Sequence, residues 1–325
     1  MTLDHESTPF IAAYSSRAHS FIVGIMTYWE AVASFLTDQP LDVISYLDPF
    51  LEQKGMHRVY PNPWSGICTS VFIHLAKAGI LSRQKNSLRR LSVTGMTREI
   101  RDQLHANLVE QARETEKSVL CYQVPTQDRI EDTGDVFTPI HHLQQIAQIY
   151  RLSVLLELYR VFPELLCEPS VSGSFMNTPG KVMAIATGIL TIIQTIPLTS
   201  RVNCLLTIPL LIAGSTLQQQ QRPTRPRASF TACTREPHHS WDSLATELLS
   251  ISSKEQVCLH WRNVAWERLK AVHNYVGMAV VYRALEILEK VWDRADFRAI
   301  ADESCDQFVQ WTDVMTEEKL ETILG

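Results

Sequence analysis

The sequence predicts an all-α fold: a single large domain of packed, mostly antiparallel helices. Three observations carry that expectation. Large apolar residues recur at helical spacing in nearly every segment, and no alternating β-branched run is bracketed by hairpin turns. Nor is there the strand–helix alternation that a nucleotide-binding sheet requires. The 325 residues are 45% hydrophobic and 20% charged, with 12 Gly and 15 Pro. A chain of this length buries roughly 75% of its unfolded surface, so its core needs no disulfide or metal staple. The same composition excludes disordered, collagen-like and coiled-coil chains.

Residues 1–19 are expected to form a flexible segment, which begins with the polar, acidic MTLDHESTPF and lacks the basic region of a secretory signal. A helix is predicted over 21–37, with Phe21, Ile25, Tyr28, Trp29, Val32, Phe35 and Leu36 as its apolar positions. A shorter piece over 41–55 is broken at Asp48-Pro49. YPNPWSG at 60–66 reads as a turn leading into an apolar helix over 67–83, with Phe72, Leu75, Ala76 and Ile80 on one face. A more charged surface helix is predicted over 96–116, its apolar line at Ile100, Leu104, Leu108 and Ala112, followed by a polar loop over 125–135. The helix over 139–162 opens on a proline, whose missing donor costs nothing there, and buries Leu143, Ile146, Tyr150, Leu155, Leu158 and Phe162.

After a Pro/Ser/Gly linker over 163–180 comes the most apolar stretch, 182–214. Pro197 and Arg201 divide it into halves of about 15 residues, short of the roughly 20 that cross a bilayer. Two buried helices are expected, and no membrane span. Residues 218–240 hold four glutamines followed by RPTRPR, and read as an exposed, mobile insertion. Helices resume over 241–249 and 255–294, the second dense in aromatic residues, and a last amphipathic helix is predicted over 308–324.

A search for chemistry finds no GxGxxG, Walker loop, GxSxG elbow or HExxH. The seven cysteines stand 25 to 53 residues apart, so none has zinc-ligand spacing, and their scatter fits a reducing intracellular compartment. No catalytic residue, cofactor site or metal site is assigned. Adjacent histidines at His141-His142 point about 100° apart on a helix and do not readily share an ion. His238-His239 falls in the insertion, and His74 reads as a satisfied core histidine. Cys258 and His260 flank Trp261 without an acid or base at nucleophile-like spacing. Two basic clusters, at Arg83, Lys85, Arg89 and Arg90 and at Arg222, Arg225 and Arg227, read as solvated loops. A net charge of −5 argues against a surface built to grip phosphates.

VYPNPWSGICTSVFIHLAKAGILSRQ at 59–84 resembles the proline-tryptophan-glycine segment of the fungal-specific transcription factor domain, the helical regulatory region that follows a zinc binuclear cluster. SRVNCLLTIPLLIAGS at 200–215 looks like that family's "liaG" helix, and RALEILEKVWDRADF at 283–297 like its closing "vW.r.D" helix. QWTDVM at 310–315 resembles the segment after it. The resemblance covers residues 20–325 and implies a nuclear regulator of fungal genes, in many relatives those of metabolic or secondary-metabolite clusters. Its implied partners are other transcription factors or co-regulators, a small-molecule effector, and a second copy in a homodimer. The first cysteine, Cys68, lies inside the resembling stretch, so these residues are expected to lack the DNA-reading zinc cluster, and DNA to be reached indirectly through partners or through an upstream segment.

The motif residues that the resemblance singles out are Pro61, Pro63, Trp64, Gly66, Pro209, Gly214, Trp292 and Asp296. Their implied role is structural. Pro61 and Pro63 would fix an extended approach to the next helix, Gly66 would relieve crowding there, and Trp64 would anchor the corner by burying on the order of 150–250 Å². Trp292 would do the same against another helix. The competing expectation is a helical enzyme or ligand-binding protein whose site assembles in space; a polar cleft would favour the enzyme, an apolar cavity a ligand-gated regulator.

Overall fold

A computed structural model describes residues 9–51, 58–91, 97–166, 178–218, 241–301 and 308–321, with side chains described from residue 17 and, in the later helices, from 179 and 255. The described residues are helical throughout apart from connecting turns and two isolated bridges, Val59 with Ile130 and Asn62 with Gly66. The first helix, α1 (Pro9–Ala33), takes in residues 9–19, which the sequence assigned to a flexible segment. Its buried side is Val23, Thr27, Ala31 and Val32, continued by Ser34 and Phe35. Of its apolar positions at helical spacing, Phe21 and Trp29 are 47% and 43% exposed. The small residues win because they let α1 approach α2 (Thr69–Leu91) closely, where Gly79 meets Ser34 and Phe35.

The hub is α2. It packs against α1, against the 3-10 helix Leu41–Phe50, against α3 (Arg98–Cys121) and against α4 (Ile140–Val161), and it buries residues on every side. It runs two turns beyond the predicted end, which places the first basic cluster on a helix terminus rather than a loop. The four cations there are paired: Arg83 with Asp38 at 3.0 Å, Lys85 with Glu164 at 3.4 Å, and Arg89 and Arg90 with Asp313. On α3 burial begins at Leu108 and continues through Ala112, Thr115 and Val119, whereas Ile100 and Leu104 are exposed because only the second half reaches the body. Every apolar position expected on α4 is buried.

The apolar stretch forms α5 (Thr178–Thr195), a 3-10 turn at Arg201–Leu205 and α6 (Thr207–Thr216). Pro209 sits in the first turn of α6, where it removes no helical hydrogen bond. Among the described residues no helix is long and apolar enough to cross a membrane. The long C-terminal helix divides into α7 (Trp241–Val276) and α8 (Ala279–Ile300). Gly277 makes the break: its φ of 70° is left-handed and its N–H caps the His273 carbonyl at 2.7 Å.

The last helix, α9 (Trp311–Glu317), is shorter than the sequence suggested. Lys319, at φ 57°, ends it in a Schellman turn: Leu320 N–H bonds the Met315 carbonyl at 2.8 Å and Lys319 N–H the Thr316 carbonyl at 3.2 Å. Residues 219–240, including the second basic cluster and His238-His239, lie outside the described residues, but Gln218, assigned to the mobile insertion, is buried and pinned. Its side-chain amide donates to the Ser215 and Val309 carbonyls and accepts from Val309 N–H.

His74 corrects another expectation. It lies in the core of α2, 5% exposed, but its Nδ1 has no partner, so it is buried without being satisfied. Burial, reinforced by Lys77, lowers its pKa to about 4 despite the opposing pull of Asp48. The neutral form is the one the fold holds, whereas the unfolded chain takes up the proton near pH 6.5. The contribution is therefore complete above about pH 6.5 and is lost as pH falls toward 4, by about 3 kcal/mol in all. Urea unfolding across pH 4–7 should show that loss, and His74→Leu should flatten it; identical pH profiles would remove His74 from the account.

Candidate functional site

The motif residues gather into three connected corners. At the proline turn the organiser is Asn62, which the sequence-level assignment left out. Its Oδ1 accepts from the backbone N–H groups of Trp64 at 2.8 Å and Ser65 at 3.3 Å, while its Nδ2 donates to the Phe21 carbonyl of α1 at 3.0 Å. An Asx turn of this kind is what Asn-Pro favours. Gly66 closes the turn at φ 58° through paired backbone bonds to Asn62, both 2.8 Å. Pro61 is half-buried, but Pro63 and Trp64 are exposed. Trp64 does not anchor the core: at 39% exposure it stacks beside Tyr28 (5.1 Å between rings) and Trp29 (6.1 Å) at the surface. From there rings run inward, Tyr28 to Phe72 at 6.0 Å and Phe72 to Tyr150 at 4.3 Å, and the Tyr150 hydroxyl donates to the Leu205 carbonyl at 2.8 Å.

Leu205 belongs to the second motif, which meets the third directly. Trp292 Nε1 donates to the Gly214 carbonyl at 2.9 Å, and a Cβ on Gly214 would stand 3.0 Å from both methyls of Leu288. One turn on, Asp296 takes a two-pronged bond from Arg262 of α7, 2.7 and 2.8 Å, and Arg262 Nε reaches the Leu217 carbonyl at 2.6 Å. The guanidinium also lies over the Trp292 ring at 5.4 Å. Arg262 was not legible as a member of this corner, because its partners are 34 and 45 positions away.

The QWTDVM segment closes the third corner around a buried ion pair on α4. Arg160 and Glu157 are almost wholly enclosed and 3.2 Å apart. Arg160 also donates to Ser215 Oγ at 2.9 Å and to the Gln310 side-chain oxygen at 3.2 Å. Glu157 accepts from Ser82 at 3.2 Å and from Trp311 Nε1 at 3.3 Å. Asn86 reaches Thr312, and Arg294 pairs with Glu317 and Glu318 at the rim. The signal available in the sequence was two charges three residues apart inside the apolar run VLLELYRVF.

Reactive chemistry is not what these corners offer. Burial raises the pKa values of Cys68, Cys204 and Cys258, so none is poised as a thiolate. His141 and His142 stand nearer than helical geometry suggests, their rings 4.2 Å apart, but His142 is bound to Ser200 at 2.9 Å and burial lowers its pKa. Among the described residues no group of three His, Cys, Asp or Glu side chains could hold a metal ion. A cleft of ≈ 320 Å³ lies against Arg262, Trp266, Trp292 and Asp296, and one of ≈ 380 Å³ between Arg17, Tyr60, Asn62 and Glu131. Both are open to solvent and lined by paired charges, unlike the enclosed apolar chamber of a typical small-molecule site.

Residues 11–325 match the fungal specific transcription factor domain family. The chain belongs to that family. No curated protein and no solved structure matches it. Within the family reading the motif residues fall on the joints of the fold: the second and third segments grip each other, and the fourth caps a buried charge pair. Membership makes the chain a fungal transcriptional regulator.

Two expectations follow for the motif tryptophans. Trp292→Ala should cost about 3–5 kcal/mol, since it empties a buried ring and removes one of the two bonds to the Gly214 carbonyl, whereas Trp64→Ala should cost about 1 kcal/mol or less. Denaturant unfolding of both variants decides this, and equal losses would mean that the exposed ring carries core packing. For the ion pair, Glu157→Leu or Arg160→Met alone should each destabilise by about 3–5 kcal/mol by stranding the other charge. The double variant should cost no more than either single one; additive losses would contradict that account.

Proposed function

We propose that the chain is the regulatory domain of a nuclear factor controlling a metabolic or secondary-metabolite gene cluster, acting through contacts with other transcription factors or co-regulators. The observation that carries this reading is where the motif residues sit. They build a cross-linked helical framework, with no convergent nucleophile, acid–base pair or metal cluster among the described residues. Base readout is supplied by a partner or by another segment. The three arginines and the lysine at the end of α2 support this, because carboxylates of the same chain already pair with them.

Two measurements test it. In mobility shifts across a salt series, residues 1–325 should bind duplex DNA only weakly and without sequence preference, in the range of about 10⁻⁴–10⁻⁶ M. Transcript profiling of a deletion strain should show a coordinated loss from a cluster of neighbouring genes. Tight, salt-resistant, sequence-selective binding would defeat the partner model. Unchanged transcripts together with a missing metabolite would replace the regulator with an enzyme.

A further inference from the structure

Helix α8 sorts its charges by side. Lys290 and Arg294 face α9, where Lys290 pairs with Glu318 at 3.1 Å and Arg294 with Glu317 and Glu318. On the solvent side Glu286, Glu289, Asp293 and Asp296 follow one another at steps of three and four residues, so they lie on one line of the helix. Tyr282 continues that line at one end, and Phe297 and Ile300 at the other, with no Lys or Arg on it. Phe297 is 70% and Ile300 84% exposed, and Tyr282 also faces water. The middle of the stripe borders the cleft of ≈ 320 Å³ between α7 and α8. There Arg262 is engaged by Asp296, and Trp266 Nε1 donates to Glu289 at 2.9 Å. Lys270 lies over the Trp266 ring at 4.6 Å and Arg262 over that of Trp292 at 5.4 Å. Asp293, between these arrangements, has no hydrogen-bond or ion-pair partner among the described residues.

We propose that this stripe docks a basic amphipathic helix of a partner protein, with arginine or lysine at successive turns and large aliphatic side chains at the end that meets Phe297 and Ile300. Charge complementarity selects that occupant. Four carboxylates stand along about 15 Å of one helix line, roughly one per turn, and a second helix presents its side chains along a line at the same interval. Glu289 and Asp293 are neighbours one turn apart, so a guanidinium or ammonium group laid between them meets a carboxylate on either side. Both tryptophan rings already carry a cation of the chain, which leaves the entering charge to the carboxylates. An acidic partner is repelled along the whole line, and a purely apolar one has to strip water from carboxylates without pairing them. Phosphate backbones are turned away by the same charge. The apolar residues at the ends, with the exposed Leu259 of α7 beside the cleft, supply the water-excluding contact that an exposed ion pair lacks by itself.

The choice of a protein as occupant rests on the regulatory reading above, and the stripe gives that contact its chemistry. The test uses the full chain and a labelled helical peptide of about 18 residues, enough to span the stripe, with arginine at every third or fourth position and leucines at one end, read by fluorescence anisotropy. Binding should weaken about 10-fold or more between about 50 and 500 mM salt, and the same peptide with glutamate for arginine should not bind. Asp293→Arg should weaken binding about 10-fold or more and Phe297→Ser about 3-fold or more, with helical circular dichroism unchanged. Glu114→Gln, at an exposed acid on α3, should leave it as it is. A peptide whose central arginine is exchanged for glutamate should bind Asp293→Arg better than the wild type. Absence of binding at low salt, binding indifferent to salt, or equal losses in Asp293→Arg and Glu114→Gln would overturn the proposal. So would binding that appears only once Arg222→Ala, Arg225→Ala and Arg227→Ala are combined, since the chain's own basic run is then the occupant. In the host, Asp293→Arg should lose the transcripts that the deletion strain loses. Transcripts lost in the deletion but kept in Asp293→Arg would overturn the stripe and leave the regulator standing, whereas a deletion strain with unchanged transcripts would remove both.

Discussion

The constraint on which the rest of the structure depends is the enclosure of Arg160 and Glu157. Two ionised groups taken out of water lose several kcal/mol of hydration each, and their mutual attraction does not repay that loss unless other dipoles complete their hydrogen bonds. Neighbours on α4 cannot supply those dipoles, because the local backbone groups are spent on the helix. Those bonds require α2 to present Ser82, α6 to present Ser215, and the chain to bring in Gln310 just before α9 and Trp311 at its first position. Four pieces of chain, up to 154 residues apart, must arrive in one relative position or leave a charge stranded. Apolar packing alone tolerates slippage of helix against helix; directional bonds to a fixed guanidinium fork do not.

Trp64 and Trp292, for which one anchoring role was expected, divide with Trp311 into different tasks. Trp311 is a core residue, 2% exposed and packed on Phe35, and its ring nitrogen serves the ion pair. Trp292 ties the end of α6 to α8 through the one carbonyl that a glycine leaves accessible. Trp64 faces outward. What separates them is the partner available to the indole N–H. Where a buried acceptor exists, as at Gly214 and Glu157, the ring goes inside; at the proline turn the ring lies at the surface beside Tyr28 and Trp29.

That division shows how far the sequence could be read. The all-α class, the core line of α4, the paired apolar helices and the turn at 60–66 were legible because each depends on spacing within a few residues. The C-terminal stop of α9 was not, since Lys rather than Gly or Asn takes the left-handed position there. The apolar spacing of α1 did not single out its buried side: bulk marks Phe21 and Trp29, but the smaller Thr27 and Ala31 are the buried ones. Arg262 with Asp296 and Gln218 with Val309 were beyond reach, because a salt bridge or amide bond across tens of residues leaves no periodic trace.

These misreadings share a cause that bears on how the domain works. Polar joints occupy the interior, where sequence patterns lead one to expect apolar residues, and apolar rings occupy the surface of α1 and the proline turn. A contiguous exposed apolar face of this kind is one that docking would cover. Rigid joints beneath it make the covering reversible, because docking then orders little that is not already ordered, so the apolar contact need not offset a large loss of conformational entropy. The same cross-linked framework that holds Trp292 and Trp311 in place thus keeps Trp29 and Trp64 presented in one arrangement, from α4 at the centre to α1 at the rim.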